Sequence, residues 1–244
     1  MGLFFEIHRN MNREAPGDDA STLRALALCA ELPRVPRILD VGCGPGAQTI
    51  LLARQTGGWV TALDNHPPFL DELHHRAVTA SLDGKIERCL GSMSSMTFAP
   101  RSFDLIWSEG AIYIMGFEQG LRAWQRLLKP RGYMAVSELT WLTSERPKAA
   151  AEFWQQGYPA MQDVAGNLKL IEQAGLKPVG HFALQASAWW DYYGPIEKRI
   201  AELRTKYAGK PEAIAELDAE QEEIEMYRNH GDSYGYVFYV MRAI

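Results

Sequence analysis

The sequence predicts an α/β protein built on a doubly wound, mostly parallel sheet with helices on both faces. Three observations predict this class. Strand-like apolar runs alternate with helix-like segments up to about residue 185, a glycine-rich turn follows the first strand-like run, and a helical hairpin precedes an antiparallel last strand. Strands that alternate with helices are typical of parallel sheets joined by right-handed crossovers.

The first half of the chain contains four predicted strands and three predicted helices. The strands are short apolar runs, at 37–41, 59–63, 85–90 and 103–107. The helices have apolar residues at helical spacing, over 21–32, from about 47 and from about 67. Pro33 ends the first helix, and Pro67 fits the first turn of the third, where proline is accepted.

The second half follows the same alternation and then departs from it. Helical spacing predicts helices over 116–129, from 164 to about 175, and in a hairpin at 194–230. Three more strands are predicted, at 133–137, 181–186 and 236–241. The hairpin breaks at 208–211, and the acidic face of its second arm is typical of a solvated surface.

A chain of 244 residues can bury a full core as one domain. We predict a single domain made of four parts, a leader at 1–20, an α/β core at 21–186, a helical insertion at 187–231 and a final strand at 232–244.

Charge and cysteine content argue against several classes of function. The net charge of −5, with no basic stripe, argues against a nucleic-acid partner. Three cysteines form neither a pairable set nor a metal-ligand spacing, which suits a reducing cytosol. The sequence lacks a recognisable signal peptide and a run that could span a bilayer, so we expect a cytoplasmic protein without a membrane partner.

The most informative segment is 38–49, Ile-Leu-Asp-Val-Gly-Cys-Gly-Pro-Gly-Ala-Gln-Thr. Its three glycines let backbone N–H groups approach a ligand where a Cβ would collide. Asp40, on the strand, needs a partner for its charge, and a cationic ligand group is the natural one. Asp64 ends the second strand, where an acid is well placed to hold the two hydroxyls of a ribose.

Two ligand classes fit a glycine-rich turn with an acid downstream. Residues 42–47 satisfy the dinucleotide pattern G-x-G-x-x-A, so the glycines alone do not choose between the classes. Asp40 favours the other class, because a carboxylate at the strand end repels a pyrophosphate and attracts an ammonium group. S-adenosylmethionine offers an ammonium, a ribose diol and no phosphate.

Residues 38–140 resemble the class I S-adenosylmethionine-dependent methyltransferases, particularly the branch that contains ubiquinone/menaquinone C-methyltransferases and many small-molecule methyltransferases. The segments that carry the resemblance are 38–46, 63–65, 91–93, 103–109 and 127–132. Ser92 departs from the pattern, because the family commonly has an acid there that binds the adenine amino group. The resemblance implies a Rossmann-like fold, S-adenosylmethionine as methyl donor and a small-molecule methyl acceptor.

The resemblance also implies residue roles. Gly42 and Gly44 line the methionine portion, Asp40 helps to orient its ammonium, and Asp64 holds the ribose. Asn65, Ser92 and Met93 border the adenine, and Ser108 lies under the sulfonium. The complete expected cofactor-binding set is Arg13, Asp40, Gly42, Gly44, Gln48, Asp64, Asn65, Gly91, Ser92, Met93 and Ser108.

Two side chains are candidate catalytic residues. Glu109 follows the fourth strand at the carboxyl edge of the sheet, and either acts as a general base or orients the substrate. Tyr113 either hydrogen-bonds the substrate or packs in the protein. Glu138, after the fifth strand, is a weaker candidate. His74 and His75 are adjacent on a helix and point to different faces, so we assign no metal.

The leader and a set of aromatic residues are candidates for closing the site. In related methyltransferases such a leader often folds over the cofactor as a lid, and Arg13 could then meet the methionine carboxylate. The aromatic residues either line a substrate pocket, which would suit an amine or ammonium, or pack in the core. They are Trp141, Trp189, Trp190, Tyr192 and Tyr193.

Two other functions fit the glycine-rich turn. One is an NAD(P)-dependent oxidoreductase, for which we identify no hydride-transfer site. The other is a non-catalytic cofactor-binding module that acts through a partner. The hairpin at 194–230 could dock that partner, cover the active site or pair two subunits as a homodimer.

Overall fold

The computed structural model describes residues 2–244, which form a seven-stranded sheet with the order β3-β2-β1-β4-β5-β7-β6. Strands β1 to β5 are parallel, whereas β7 is antiparallel to its neighbours β5 and β6. The strands are β1 (Arg37–Val41), β2 (Trp59–Asp64), β3 (Ile86–Leu90), β4 (Phe103–Ser108), β5 (Leu128–Trp141), β6 (Leu176–Ala183) and β7 (Tyr234–Ala243).

Helices cover both faces of the sheet. Ile38 and Leu39, neighbours on β1, belong to two different apolar clusters. The Ile38 cluster includes residues of α2, α3, α8 and α9, and the Leu39 cluster includes residues of α5 and α7. The predicted fold class is therefore confirmed. The helices are α1 (Leu3–Ile7), α2 (Asp19–Ala27), α3 (Ala47–Thr56), α4 (Pro67–Thr79), α5 (Phe117–Gln125), α6 (Lys148–Gly157), α7 (Val164–Gln173), α8 (Ala186–Lys206) and α9 (Pro211–His230).

The helical hairpin α8–α9 anchors the N-terminal leader. Glu6 of α1 accepts a hydrogen bond from the Tyr207 hydroxyl at 2.7 Å and forms an ion pair with Lys206. Met1, the first residue of the predicted leader, lies outside the described residues. Phe5 of α1 also stacks on His66, which follows β2, so the leader starts near the carboxyl end of that strand. Among the described helices, none is long and apolar enough to cross a bilayer.

Several predicted element boundaries were wrong, each for a local reason. Strand β5 extends well beyond 133–137, because its polar carboxyl end pairs with β7 as far as Trp141 and Tyr234. Strand β6 begins earlier than residue 181, because a register irregularity between Pro178 and Gly180 disguises its alternation. The prediction missed α1 and α6 and placed the start of α8 too late.

Helix α3 has a glycine with left-handed backbone at each end. Gly46 at its start has φ +89°, and Gly57 at its end has φ +63°. A Cβ on Gly46 would lie 2.2 Å from Leu73 Cδ1 of α4, whereas a Cβ on Gly57 would meet no atom within 4 Å. The glycine-rich turn therefore lets α3 and α4 pack closely beside the first two strands.

The two glycines provide a matched test of that close packing. Gly57→Ala should cost only left-handed strain, roughly 1–2 kcal/mol of unfolding free energy. Gly46→Ala should cost about 1–3 kcal/mol more, because Leu73 must also move. Urea unfolding of both variants measures the difference, and equal losses of stability would contradict the assigned role of Leu73.

Candidate functional site

A cavity of about 320 Å³, here named the edge cavity, opens at the carboxyl ends of β1, β2, β3 and β4. In doubly wound sheets, ligands bind at this edge. Eleven of the thirteen predicted site residues line it, namely Arg13, Gly42, Gly44, Gln48, Asp64, Asn65, Gly91, Ser92, Met93, Glu109 and Tyr113.

Backbone hydrogen bonds tie the glycine-rich turn to the end of β2. The amides of Gly42 and Cys43 both donate to the carbonyl of Leu63, at 2.8 and 3.1 Å. Gly42 has φ +70°, and a Cβ on it would lie 2.6 Å from the Cβ of Ala111, on the loop after β4. The turn is thus held between two neighbouring loops while its backbone faces the cavity.

Asp64 joins the same turn through its side chain. Its Oδ2 accepts the Gly44 N–H at 2.9 Å, and its Oδ1 accepts the His66 N–H at 2.9 Å. A carboxylate has about four acceptor positions, so each oxygen can accept one further hydrogen bond. The side chain is nearly buried but lines the cavity, which leaves those acceptor positions available to a ligand diol.

Asp40, expected to orient a ligand ammonium directly or through water, does not line the edge cavity, so a direct contact would need Gln48 to move. It is fully buried, and its carboxylate accepts hydrogen bonds from Thr49 Oγ1 at 2.5 Å and Gln48 Nε2 at 3.5 Å. Burial raises the pKa of Asp40 to about 7, with Thr49 and Gln48 opposing the rise. Gln48, which also donates to the Cys43 carbonyl, separates Asp40 from the cavity.

Ser108 also lies outside the cavity lining. It is fully buried at the end of β4, and its hydroxyl oxygen has no hydrogen-bond partner among residues 2–244. The loop that follows it, from Glu109 to Ala111, forms the cavity wall instead.

The opposite wall carries the residues expected to border a nucleobase. The hydroxyls of Ser92 and Ser94 lie 2.8 Å apart, and the carbonyl of Met93 accepts a hydrogen bond from Trp124 Nε1 at 3.3 Å. Phe4 and Phe69 add apolar surface that motif analysis missed, because neither lies in a recognisable motif.

Glu109 is the centre of a hydrogen-bond cluster that holds the leader against the core. Arg13 Nη1 donates to its Oε2 at 2.6 Å. Thr22 Oγ1 and Trp107 Nε1 both donate to its Oε1, at 2.7 and 2.8 Å. Arg13 also pairs with the exposed Asp19 at 2.9 Å. Arg13 and Glu109, both predicted site residues, therefore lie together at the cavity. Each is the ion-pair partner of the other.

Glu14 is a cavity residue that sequence reasoning missed. Its Cγ lies 3.4 Å from the position that a Cβ on Gly44 would take, so its side chain approaches the glycine-rich turn. His8 Nδ1 lies 3.3 Å from Glu14 Oε2. Burial opposes the charge of His8, but hydrogen bonds with Glu14 and Glu220 raise its pKa to about 9. No motif in the leader singled out Glu14.

A second cavity of about 230 Å³, here named the aromatic cavity, shares Glu14, Ala15, Gly110 and Tyr113 with the edge cavity. Of the aromatic residues considered from the sequence, it brings together Trp189, Tyr192 and Tyr193 but not Trp141 or Trp190. Its aromatic lining is Tyr113, Phe153, Trp154, Tyr158, Trp189, Tyr192, Tyr193 and Tyr236.

Two further observations concern a neighbouring cleft and metal binding. An open cleft of about 970 Å³ lies on the other side of the leader, but residues 42–46 of the glycine-rich turn do not line it. In the part of the chain that the structure describes, no group of three or more His, Cys, Asp or Glu side chains is arranged to hold a metal ion.

Comparison with known proteins finds similarity over the core of the chain. Residues 38–132 match a family model described as a methyltransferase domain. A malonyl-[acyl-carrier protein] O-methyltransferase of Erwinia pyrifoliae is 36% identical over 141 residues, 57% of this chain and 50% of that protein. A sterol 24-C-methyltransferase of Neurospora crassa is 32% identical over 110 residues, 45% of this chain and 28% of that protein. The matches thus span half or less of these curated relatives.

A solved structure is similar over nearly the whole chain. It is a SAM-dependent methyltransferase from Geobacter sulfurreducens in complex with S-adenosyl-L-homocysteine, with a TM-score of 0.84 and 17% identity. The similarity covers 99% of this chain and 98% of that one, and it shows the fold. The resemblance to class I methyltransferases predicted from the motifs is confirmed.

The environment of Asp40 predicts a specific pH dependence of stability. Between about pH 4 and pH 7 the folded carboxyl binds a proton that the unfolded one has lost. Its stabilising contribution is therefore complete below about pH 4 and disappears as the pH rises through about 7. The unfolding free energy should fall by up to about 1.4 kcal/mol per pH unit from this group alone.

Asp40→Asn should remove that contribution, so its unfolding free energy should depend less steeply on pH between 5 and 7. Urea unfolding across this range measures the slope, with Asp83→Asn on the exposed surface as the control. An unchanged slope in Asp40→Asn would show that the buried carboxyl is not protonated on folding.

Proposed function

We propose that this chain is an S-adenosylmethionine-dependent methyltransferase that acts on a small-molecule nucleophile. One observation carries the proposal: the Asp64 carboxylate is bonded to the Gly44 N–H in a cavity at the carboxyl edge of a parallel sheet. That arrangement supports the proposal, because a ribose bound there would meet a carboxylate beside a turn whose backbone a ligand can approach closely.

The charges of the edge cavity favour a cationic nucleoside over a dinucleotide. Among the described residues, its lining includes Glu14, Asp64 and Glu109 and a single basic side chain, Arg13. Arg13 is already paired with Glu109. A pyrophosphate would therefore meet net negative charge, whereas the sulfonium and ammonium of S-adenosylmethionine would be attracted.

The proposed cofactor placement follows the cavity walls. Asp64 accepts the ribose hydroxyls, and Gly42 and Gly44 lie along the methionine portion. Glu14, rather than the enclosed Asp40, is the carboxylate available to the methionine ammonium. The adenine lies on the opposite wall, against Asn65, Gly91, Ser92 and Met93, and Gln48 lies at the base of the turn.

Methyl transfer asks little covalent chemistry of the protein, because the sulfonium already activates the methyl group. The nucleophile attacks the methyl carbon in line with the C–S bond, whose electron pair leaves with sulfur to give S-adenosylhomocysteine. The protein contributes by holding the two reactants together and excluding water. The leader, held by Arg13 and Glu109, covers the cavity for that purpose.

The contacts of Glu109 favour a positioning role over general-base catalysis. Three donors, from Arg13, Thr22 and Trp107, already occupy most of the roughly four acceptor positions of its carboxylate. A base needs a free lone pair within reach of the proton that it removes. Tyr113, which lines both cavities, is better placed to contact the substrate.

The proposal also covers the localisation, the partner and the oligomeric state of the protein. We propose a cytoplasmic protein with a small-molecule acceptor as its partner, and we retain a homodimer paired through α8–α9 as a prediction that size-exclusion chromatography with light scattering tests.

Binding of S-adenosylhomocysteine tests the proposed cofactor. The wild type should bind it in titration calorimetry, and NAD should not compete. Asp64→Ala should weaken binding by about a hundredfold, because charge-assisted hydrogen bonds to the ribose are lost. Asp83→Ala, which removes an exposed carboxylate, is the control. Unchanged affinity in Asp64→Ala would refute the assignment of the ribose site.

Glu109→Gln distinguishes positioning from base catalysis. If Glu109 holds the leader, the KM for the cofactor should rise about tenfold while kcat changes less, because a partly buried ion pair is lost. Asp19→Asn, at the exposed end of the same cluster, should have little effect. A base would instead show a loss of kcat of about a hundredfold or more at saturating cofactor.

A further inference from the structure

The aromatic cavity is positioned to receive the second reactant. It meets the edge cavity at Gly110 and Tyr113 on one side and at Glu14 and Ala15 of the leader on the other. A molecule bound in it therefore lies beside the proposed methyl donor. Its volume of about 230 Å³ has room for roughly eight water-sized groups of ~30 Å³ each.

The lining of the aromatic cavity carries negative but no positive side-chain charge. Among the described residues it includes Glu14 and Glu223, and it includes no lysine, arginine or histidine. Glu223, on α9, accepts a hydrogen bond from the Tyr193 hydroxyl at 2.8 Å. Burial raises the pKa of Glu223, and the hydrogen bond from Tyr193 opposes the rise.

The charged groups around the aromatic cavity do not cancel the negative charge of its lining. Among the described residues, His8 is a cation beside this cavity, and its ring nitrogens lie 3.3 Å from Glu14 and 3.8 Å from Glu220. The single positive charge of a protonated His8 therefore faces three carboxyl groups, those of Glu14, Glu220 and Glu223. A fourth acid, Glu138, is buried near Tyr158, and burial raises its pKa to about 8, so it adds little negative charge near neutral pH.

Aromatic faces reinforce the preference for a cation. The rings of Tyr113 and Tyr158 meet edge to face at 6.0 Å, and those of Trp189 and Tyr236 lie 5.4 Å apart. A cation over such a face gains about 0.5–2 kcal/mol, more when water is excluded. A carboxylate or phosphate ligand would instead face two glutamates with no opposing cation in the lining.

We propose that the aromatic cavity binds the methyl acceptor, and that this acceptor is a small aliphatic amine held as its ammonium ion by aromatic faces and by Glu14 and Glu223. The inference rests on the proposed methyl transfer and adds the class of substrate. These groups come from distant parts of the chain, namely the leader, the loop after β4, α6, α8, α9 and β7, and the fold brings them together.

The reaction balances with one proton released. The bound ammonium ion loses a proton to a carboxylate of the cavity and then to solvent, which frees the nitrogen lone pair. The lone pair forms the N–C bond with the methyl carbon while the C–S bond electrons leave with sulfur. The product is an N-methylammonium ion of unchanged charge, with neutral thioether S-adenosylhomocysteine.

Ligand selectivity of the wild-type protein tests this inference without any variant. Protein is first titrated with S-adenosylhomocysteine, and the loaded protein is then titrated with n-butylammonium, n-butanol and butyrate by ligand-observed NMR. Butylammonium should bind at least tenfold more tightly than butanol, and butyrate more weakly than either. Equal binding of butanol, or preferred binding of butyrate, would overturn the inference.

A matched pair of variants locates the selectivity. Glu223→Gln should reduce the preference for butylammonium over butanol by about fivefold or more, whereas Glu222→Gln, its exposed neighbour on α9, should leave the preference unchanged. Equal effects of both substitutions would place the cation elsewhere. If Glu223→Gln does not fold, the wild-type selectivity still decides.

Turnover separates this inference from the proposed function. With a panel of small amines, phenols, thiols and carboxylates, release of S-adenosylhomocysteine should occur with amines, accompanied by one proton per turnover. Release only with a non-amine would keep the methyltransferase and overturn the amine. Failure of the wild type to bind S-adenosylhomocysteine would refute the proposed function itself.

Discussion

The site depends on the hydrogen bonds that tie the glycine-rich turn to the end of β2. Two turn amides donate to the Leu63 carbonyl, and a third, from Gly44, donates to Asp64. These bonds hold the backbone that faces the cavity and the Asp64 carboxylate, the proposed ribose acceptor, in one fixed arrangement. The loop after β4 packs against the turn through Ala111. The ends of β1, β2 and β4 are therefore held in fixed positions relative to one another.

Two aspartates of neighbouring strands have opposite surroundings, and this decides what each can do. Asp64 is bonded to backbone amides at the cavity wall and keeps acceptor positions toward it. Asp40 is enclosed behind Gln48, where burial raises its pKa to about 7. The enclosed carboxyl supports the start of α3 through Thr49, while the carboxylate that reaches the turn from outside is Glu14.

The sequence predicted the parts of the site that lie in one local segment. The turn at 42–46 and the acid at the end of β2 followed from local spacing, and residues 91–93 from the family resemblance; all of these segments contribute to the cavity lining. The pairing of Arg13 with Glu109, the approach of Glu14 and the aromatic cavity depend on contacts between distant segments, which no local pattern encodes. The true length of β5 was hidden for the same reason, because β7 supplies its partner.

The most direct test of the account is a crystal structure of this protein with S-adenosylhomocysteine. The account predicts the ribose hydroxyls within hydrogen-bond distance of Asp64, the ammonium beside Glu14 and the sulfur facing the junction of the two cavities at Tyr113. A ligand bound with its ribose away from Asp64, or in the open cleft beyond the leader, would contradict it.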